Sequence, residues 1–199
     1  MGYLGYKPAD KPLTSADITD GIITNADIAS GAAIAQSKIS GSFGKVLQVV
    51  STTKTDTYSS SATSFTDITG MSLSITPSSS ANKILVLITA NIGVSEHANV
   101  RLVRGSTNIF VGDSAGSRQQ ASIYIFGRST IGATSYEGAI PSIISHLDSP
   151  ATTSSTTYKL QSFVNDPSWV FNLNRSASDA NSASYGRLAS SITLLEIAG

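Results

Sequence analysis

Between Lys45 and Gly199 the chain sets short apolar runs between clusters of Ser, Thr, Gly, Asn and Pro, and this cadence constrains the fold more than any other feature. Met71-Ser-Leu-Ser-Ile-Thr-Pro77 places Met71, Leu73 and Ile75 at every second position, the period of a strand with one buried face. Lys83–Ile92 is the most apolar stretch and reads as a central strand. Phe65–Ile68 leads through Gly70 into the alternating stretch at Met71, and further strands are expected at Val46–Val50, Ala121–Phe126, Thr156–Val164, Trp169–Asn174 and Leu188–Ile197. Val100–Val103 and Thr107–Val111 read as a hairpin across Arg104-Gly105-Ser106, and Ala139–Leu147 as a mixed segment interrupted by Pro141. Thr52–Ser64 reads as a hairpin or loop, Gly93–Asn99 as a turn, and Gly112–Gln120, Arg128–Gly138 and Arg175–Gly186 as polar loops. Turn signals recur every ~8–15 residues and no stretch gives a convincing helix. About eight to ten strands predict an all-β fold, a jelly-roll-like antiparallel β-sandwich.

The N-terminal segment is written differently. Read in fives, Ala16–Gly41 carries Ile18, Ile23, Ile28, Ile34 and Ile39 at the centres of successive units, with one extra residue, Gly31, before the fourth. A spacing of five fits neither a helix nor a strand, and it asks for a coiling chain that returns one isoleucine per unit to the same side. Five such units make little more than one coil, which cannot bury its isoleucines alone. Either the coil packs on the domain behind it or three copies wind about one axis and share the isoleucines, and the second reading is preferred. Two short helical turns are the alternative, opening at Thr14-Ser15-Ala16-Asp17 and at Asn25-Ala26-Asp27. Ahead of the repeat, Met1–Leu13 is an irregular arm in which Tyr3, Leu4, Tyr6, Pro8, Pro12 and Leu13 offer a docking segment. The expected organisation is an anchoring arm over 1–15, a stem over 16–44 and a β-sandwich over 45–199.

Charge narrows the partners. Thirteen acidic and thirteen basic side chains balance, which argues against nucleic acid and against a polybasic membrane anchor. Charged residues are only 13% of the chain against ~25% in ordinary soluble domains, and hydroxyl groups fill the gap. A surface so weakly charged suits burial in an assembly. No cysteine is present, so disulfides and thiolate metal sites are excluded. No apolar run has the length of a membrane span and no secretory leader is visible. The expectation is a soluble protein made in a cytoplasm, without membrane insertion.

Gly112-Asp113-Ser114-Ala115-Gly116 matches the G-x-S-x-G nucleophile elbow, and His146 and Asp148 lie downstream. The elbow must open a helix beneath a parallel sheet, whereas here another strand follows, so no catalytic residue is assigned. His97 and His146 are expected as solvated histidines in turns, without metal-binding spacing. No pair of carboxylates is nominated for glycosidase chemistry, and no cofactor motif is present. Candidates for recognition are Asp113 and Arg118 in the loop 112–120, Tyr136 in the loop 128–138, and Asp166 with Trp169. An aromatic ring beside Asp or Asn is a common sugar-binding pairing, although Trp169 also reads as a core anchor of its strand.

The arm Gly2-Tyr-Leu-Gly-Tyr-Lys-Pro-Ala-Asp-Lys-Pro-Leu-Thr, running into the Ala-Asp-Ile units, resembles the start of tail-fibre-like proteins of phages, especially marine and cyanobacterial ones. Phe65–Pro77, Lys83-Ile-Leu-Val, Leu102–Ile109, Leu147–Pro150, Thr157–Leu160 and Ser191–Ile197 resemble a β-rich domain of phage fibre and head-decoration proteins. The resemblance implies a virion structural protein. It would be a homotrimer with a head related in shape to tumour necrosis factor and complement C1q. Its partners would be itself and a tail adaptor, nozzle or major capsid protein, with a host-surface glycan or receptor at the head. A short tail fibre is the first expectation and a capsid decoration or head-fibre protein the second. A glycan hydrolase is the distant third.

Overall fold

The computed structural model describes residues 23–29, 32, 45–127 and 138–199. The chain divides into two units, Met1–Gly41 and Ser42–Gly199. In the first, Asn25–Asp27 form a single turn of 3-10 helix. Thr24 starts it, donating its backbone N–H and its hydroxyl to Asp27 Oδ2, each at 2.8 Å. A helical turn therefore occupies the place where the alternative reading put one, with Ile23 and Ile28 exposed on either side of it. Ile18, Ile34 and Ile39 lie outside the described residues, as do Tyr3, Leu4, Tyr6, Pro8, Pro12 and Leu13.

The second unit is built of β1 Val46–Lys54, β2 Tyr58–Ser60, β3 Thr66–Ile75, β4 Lys83–Val94, β5 His97–Arg104, β6 Thr107–Ile109, β7 Ile123–Phe126, β8 Ile140–Asp148, β9 Thr156–Phe163, β10 Phe171–Leu173 and β11 Ser190–Ile197. All pairings are antiparallel. The front sheet runs β1-β11-β4-β8, with β10 continuing the β11 edge of β4 and pairing β2. The back sheet runs β3-β9-β5, and β6 and β7 share the far edge of β5. The connectivity is that of one long hairpin rolled up. The first strand pairs the last (β1·β11), β3 pairs β9, β4 pairs β8, and β5 pairs β6 and β7 at the tip. Nesting of this kind makes the sandwich a jelly roll, as expected from the sequence.

The core lies between the sheets. Ile84, Val86, Ile88 and Ile92 of β4, with Ile144 and Ile192, belong to one buried cluster with Met71, Ile75, Val100, Leu102, Ile125 and Leu160. The alternation read at Met71, Leu73 and Ile75 holds, and Phe65–Ile68 and Met71–Ile75 are parts of one strand, β3. Gly70, at φ +83°, sits in a register shift between Asp67 and Ser72 that lets the strand continue. The turn expected over Gly93–Asn99 shrinks to Ser95 and Glu96, because β4 runs on to Val94 and β5 begins at His97. Gly93 continues the strand for a packing reason: a side chain there would overlap the Arg175 carbonyl oxygen. Pro141 does not interrupt its segment. It sits in β8, which among the described strands pairs only β4, and an edge strand tolerates the missing N–H donor.

Three buried polar groups tie the turns to the sheets. Asp148 accepts from Arg104 Nη1 with both oxygens at 2.8 Å and from the Tyr158 hydroxyl at 2.7 Å. Burial, then the neighbouring carboxylate, holds that phenol in its protonated form far above the ordinary tyrosine range. Asn174, at φ +62°, donates to the Lys54 and Asp56 carbonyls and accepts from Ser190 Oγ. Glu196 Oε1 accepts from Ser78 N–H at 2.6 Å, Ser78 Oγ at 2.7 Å and Asn82 Nδ2 at 2.6 Å. Burial pushes the Glu196 carboxyl up, but the bonds from Asn82 and Ser78 outweigh it and hold the carboxyl below its ordinary range.

A carboxyl whose pKa is depressed in the folded state stabilises fully above its unfolded value, and the stabilisation is lost as pH falls through the folded value. Unfolding free energy should therefore fall along the acid limb. Glu196→Gln should flatten that fall and cost about 1–3 kcal/mol at pH 7; denaturant melts of both proteins between pH 7 and pH 3 check it. Ser162 Oγ is the one buried side-chain polar atom without a partner among the described residues. Ser162→Ala should raise stability by up to about 1 kcal/mol, read in the same melts.

Candidate functional site

At one end of the back sheet the outward residues are aromatic or amide. β5 alternates, so His97, Asn99 and Arg101 point away from the core while Ala98, Val100 and Leu102 are buried. On β7, Ile125 is buried while Tyr124 and Phe126 are exposed. Register places Asn99 between Tyr124 of β7 and Phe163 of β9, and His97 beside Phe126. The His97 ring lies 5.0 Å from Trp169, 4.7 Å from Phe126 and 5.9 Å from Tyr124, and its Nδ1 is 2.7 Å from the Tyr124 hydroxyl. Arg101 sits 3.9 Å over the Phe65 ring, which packs in turn on Phe163.

Two loops wall this surface. The first returns from β6 to β7. Gln120 Nε2 and the Gly112 carbonyl close its neck at 2.8 Å, and Gly116, at φ +61°, turns its tip. Ser122 fixes its exit by donating its N–H to the Val100 carbonyl and accepting from Leu102 N–H at Oγ. The second is Asn165–Val170. Asp166 Oδ1 accepts from the N–H and hydroxyl of Ser168, and Val170 N–H donates to Ser95 Oγ, so Trp169 is held over His97. Between the loops lies an open cleft of ≈ 680 Å³ whose lining includes His97, Asn99, Asp113, Arg118, Gln119, Tyr124, Phe163, Asn165 and Trp169. That volume falls within the usual range of small-molecule sites.

Three of the five residues expected in recognition meet here: Asp113, Arg118 and Trp169. Trp169 serves both readings, packing on the core and lining the cleft. Asp166 does not line it. Its carboxylate caps the turn, and Asn165 reaches the cleft instead. Tyr136 lies outside the described residues. His97 and His146 are on strands rather than in turns, His97 in the ring cluster and His146 with its ring centre 5.0 Å from that of Phe110 and tilted against it. Sequence reasoning missed Tyr124, although the alternation Ile123-Tyr124-Ile125-Phe126 already puts two aromatics on the solvent side. The parts of the elbow motif do not converge. Ser114 makes no side-chain hydrogen bond among the described residues, and Asp148 is committed to Arg104 and Tyr158. Among the described residues no three His, Asp or Glu side chains gather as metal ligands.

A second surface lies on the outer face of the front sheet. Val49 of β1, Leu195 of β11, Leu85 of β4 and Leu147 of β8 stand in one cross-strand row. Leu87 and Ile143 extend the apolar field, Ile143 being 72% exposed. Among the outward positions of these four strands within the rows from Lys83 to Asn91 of β4, Lys83 is the single charge.

No protein-family model matches the chain, and no curated protein matches it significantly. Gly127 closes β7 where a side chain would overlap the Val94 carbonyl oxygen. Gly127→Ala should therefore displace the Tyr124–Phe126 ledge and destabilise the fold by about 1–3 kcal/mol. Thermal melting measures the loss, and acrylamide quenching of Trp169, the single tryptophan, measures the loosened ring cluster.

Proposed function

We propose that this protein is a structural component of a phage virion: a short homotrimeric tail fibre whose N-terminal arm anchors it and whose β-sandwich faces the host surface. The observation that carries the reading is the outer face of the front sheet. A large, nearly uncharged apolar field on a monomer marks a contact surface. Four strands spaced ~4.8 Å apart and about seven residues long at ~3.3 Å each give roughly 400–450 Å² of sheet per protomer. Turned toward a common three-fold axis, three such faces bury roughly 1,200–1,350 Å² in all, which is divided among three interfaces and leaves each short of the ~1,200 Å² of a small specific interface. A shared stem of Ile18, Ile23, Ile28, Ile34 and Ile39 would supply the rest. A second copy suits the face because it brings the same hydroxyl and apolar groups and no charge that would go unpaired.

The exposed cleft on the other sheet supports the host-facing role, since self-association through the front sheet leaves it open. The same parts also serve a capsid decoration or head-fibre protein, with the arm held by the shell. Imaging of labelled protein on intact particles separates the two sites.

Sedimentation equilibrium at micromolar concentration should give a particle of about three times 20.6 kDa. Val49→Glu with Leu147→Glu should shift it to monomer without loss of the cooperative melt, because both side chains are exposed in the protomer. A monomeric parent protein would overturn the reading.

A further inference from the structure

We propose that the cleft between the loops 111–122 and 165–170 binds a neutral oligosaccharide, which gives the host-facing reading above its ligand. The rings come first. Tyr124 is 62% exposed and Trp169 is half-buried, and both stand within 6 Å of the His97 ring that braces them. Rings fixed in this way offer π faces to polarised C–H bonds at little cost in conformational entropy. A sugar ring presents such bonds on one face and hydroxyls around its rim. A purely apolar ligand would leave that polar rim unmatched.

The rim of the cleft matches hydroxyls. Asn99, Asp113, Gln119 and Asn165 line it, and their side chains make no hydrogen bond to any described residue. A carboxylate accepts only, a guanidinium donates only, and a side-chain amide does both. Such a set suits neighbouring sugar hydroxyls, each of which donates and accepts. The charge balance selects among saccharides. Asp113 and Arg118 are the two charged residues in the lining, so their charges cancel. An acidic sugar would gain from Arg118 and lose to Asp113, whereas a neutral one uses both.

Trp169 is the only tryptophan, so its emission reports on this cleft without a label. The full chain is titrated with neutral trisaccharides of glucose, mannose, galactose and N-acetylglucosamine, and with sialyllactose and trigalacturonate as acidic probes. At least one neutral trisaccharide should change the emission saturably, and the acidic probes should not. Tyr124→Ala and Asp113→Asn should each weaken that binding about tenfold or more. Asp113 is exposed and makes no side-chain hydrogen bond to a described residue, so Asp113→Asn should melt as the parent does, while Tyr124→Ala, which also removes the contact to His97, is compared at a temperature below its own melt. Absence of saturable binding by every neutral probe overturns the proposal, as does tighter binding of an acidic probe or binding that neither variant weakens. Sedimentation of the same sample separates this outcome from the fibre reading. A monomer that binds sugar keeps the cleft and discards the fibre, and a trimer that binds none does the reverse.

Discussion

The second unit depends on the register of β4. This strand pairs β8 along one edge and β11, then β10, along the other, so every strand of the front sheet is placed directly or indirectly by it. A slip of one residue would exchange its two faces. Usually the hydrophobic pattern forbids that, because the outer face is polar. Here Leu85 and Leu87 lie outside and Ile84, Val86 and Ile88 inside, so the pattern alone discriminates weakly. Polar groups supply what the pattern lacks. At one end Glu196 of β11 holds Ser78 and Asn82 just ahead of β4. At the other, Asn91 N–H donates to Ser190 Oγ and its amide to the Ala189 carbonyl, while Ser190 Oγ donates to Asn174. A slipped pairing would bury each of these without a partner, at about 1–3 kcal/mol apiece.

That arrangement explains how much of the structure was legible in the sequence. Strand positions and the all-β class follow from local alternation and turn residues, which are local properties. Pairing is non-local: the match of first strand to last and the bulge at Gly70 in the β3·β9 register are set by contacts far apart in the chain. The Ser/Thr segment hid β2, because a three-residue strand has no readable period and Tyr58–Ser60 is recruited by β10. The turn before β5 was overdrawn because Gly93 reads as a turn residue, while its real constraint is the nearby Arg175 carbonyl. The cleft was half legible. Asp113, Arg118 and Trp169 announce themselves as loop charges and an aromatic. His97 and Asn99 join them only because β5 and β7 pair in one register.

The low charge of the chain now has a location. In sequence it is a property of the whole, and a Thr-rich β protein accounts for it as well as an assembly does. In the fold, the outward positions of β1, β11, β4 and β8 within the rows from Lys83 to Asn91 have Lys83 as their single charge, while the back sheet carries Asp67 bound to Lys159 and Gln161, and Arg101 bound to Gln161. Weak charge is thus concentrated on one of two chemically different outer faces. This asymmetry favours the assembly account, because a general compositional habit would leave both faces alike.

The two faces also divide the proposed labour. Contacts between copies would use the front sheet, and the cleft opens on the back sheet, so neither competes for the other's residues. A shallow cleft holding a neutral sugar gains little per site, since hydroxyls must exchange good bonds to water for good bonds to protein. Three copies held rigidly together would alter that arithmetic. Once one cleft is occupied, the next binds at the effective concentration set by the spacing of the protomers, and overall avidity can exceed the single-site affinity by ~10²–10⁴ without any new contact. On this view trimer formation is part of the binding mechanism. A weak, readily reversible site becomes a firm hold only on a surface that repeats its sugar at the protomer spacing.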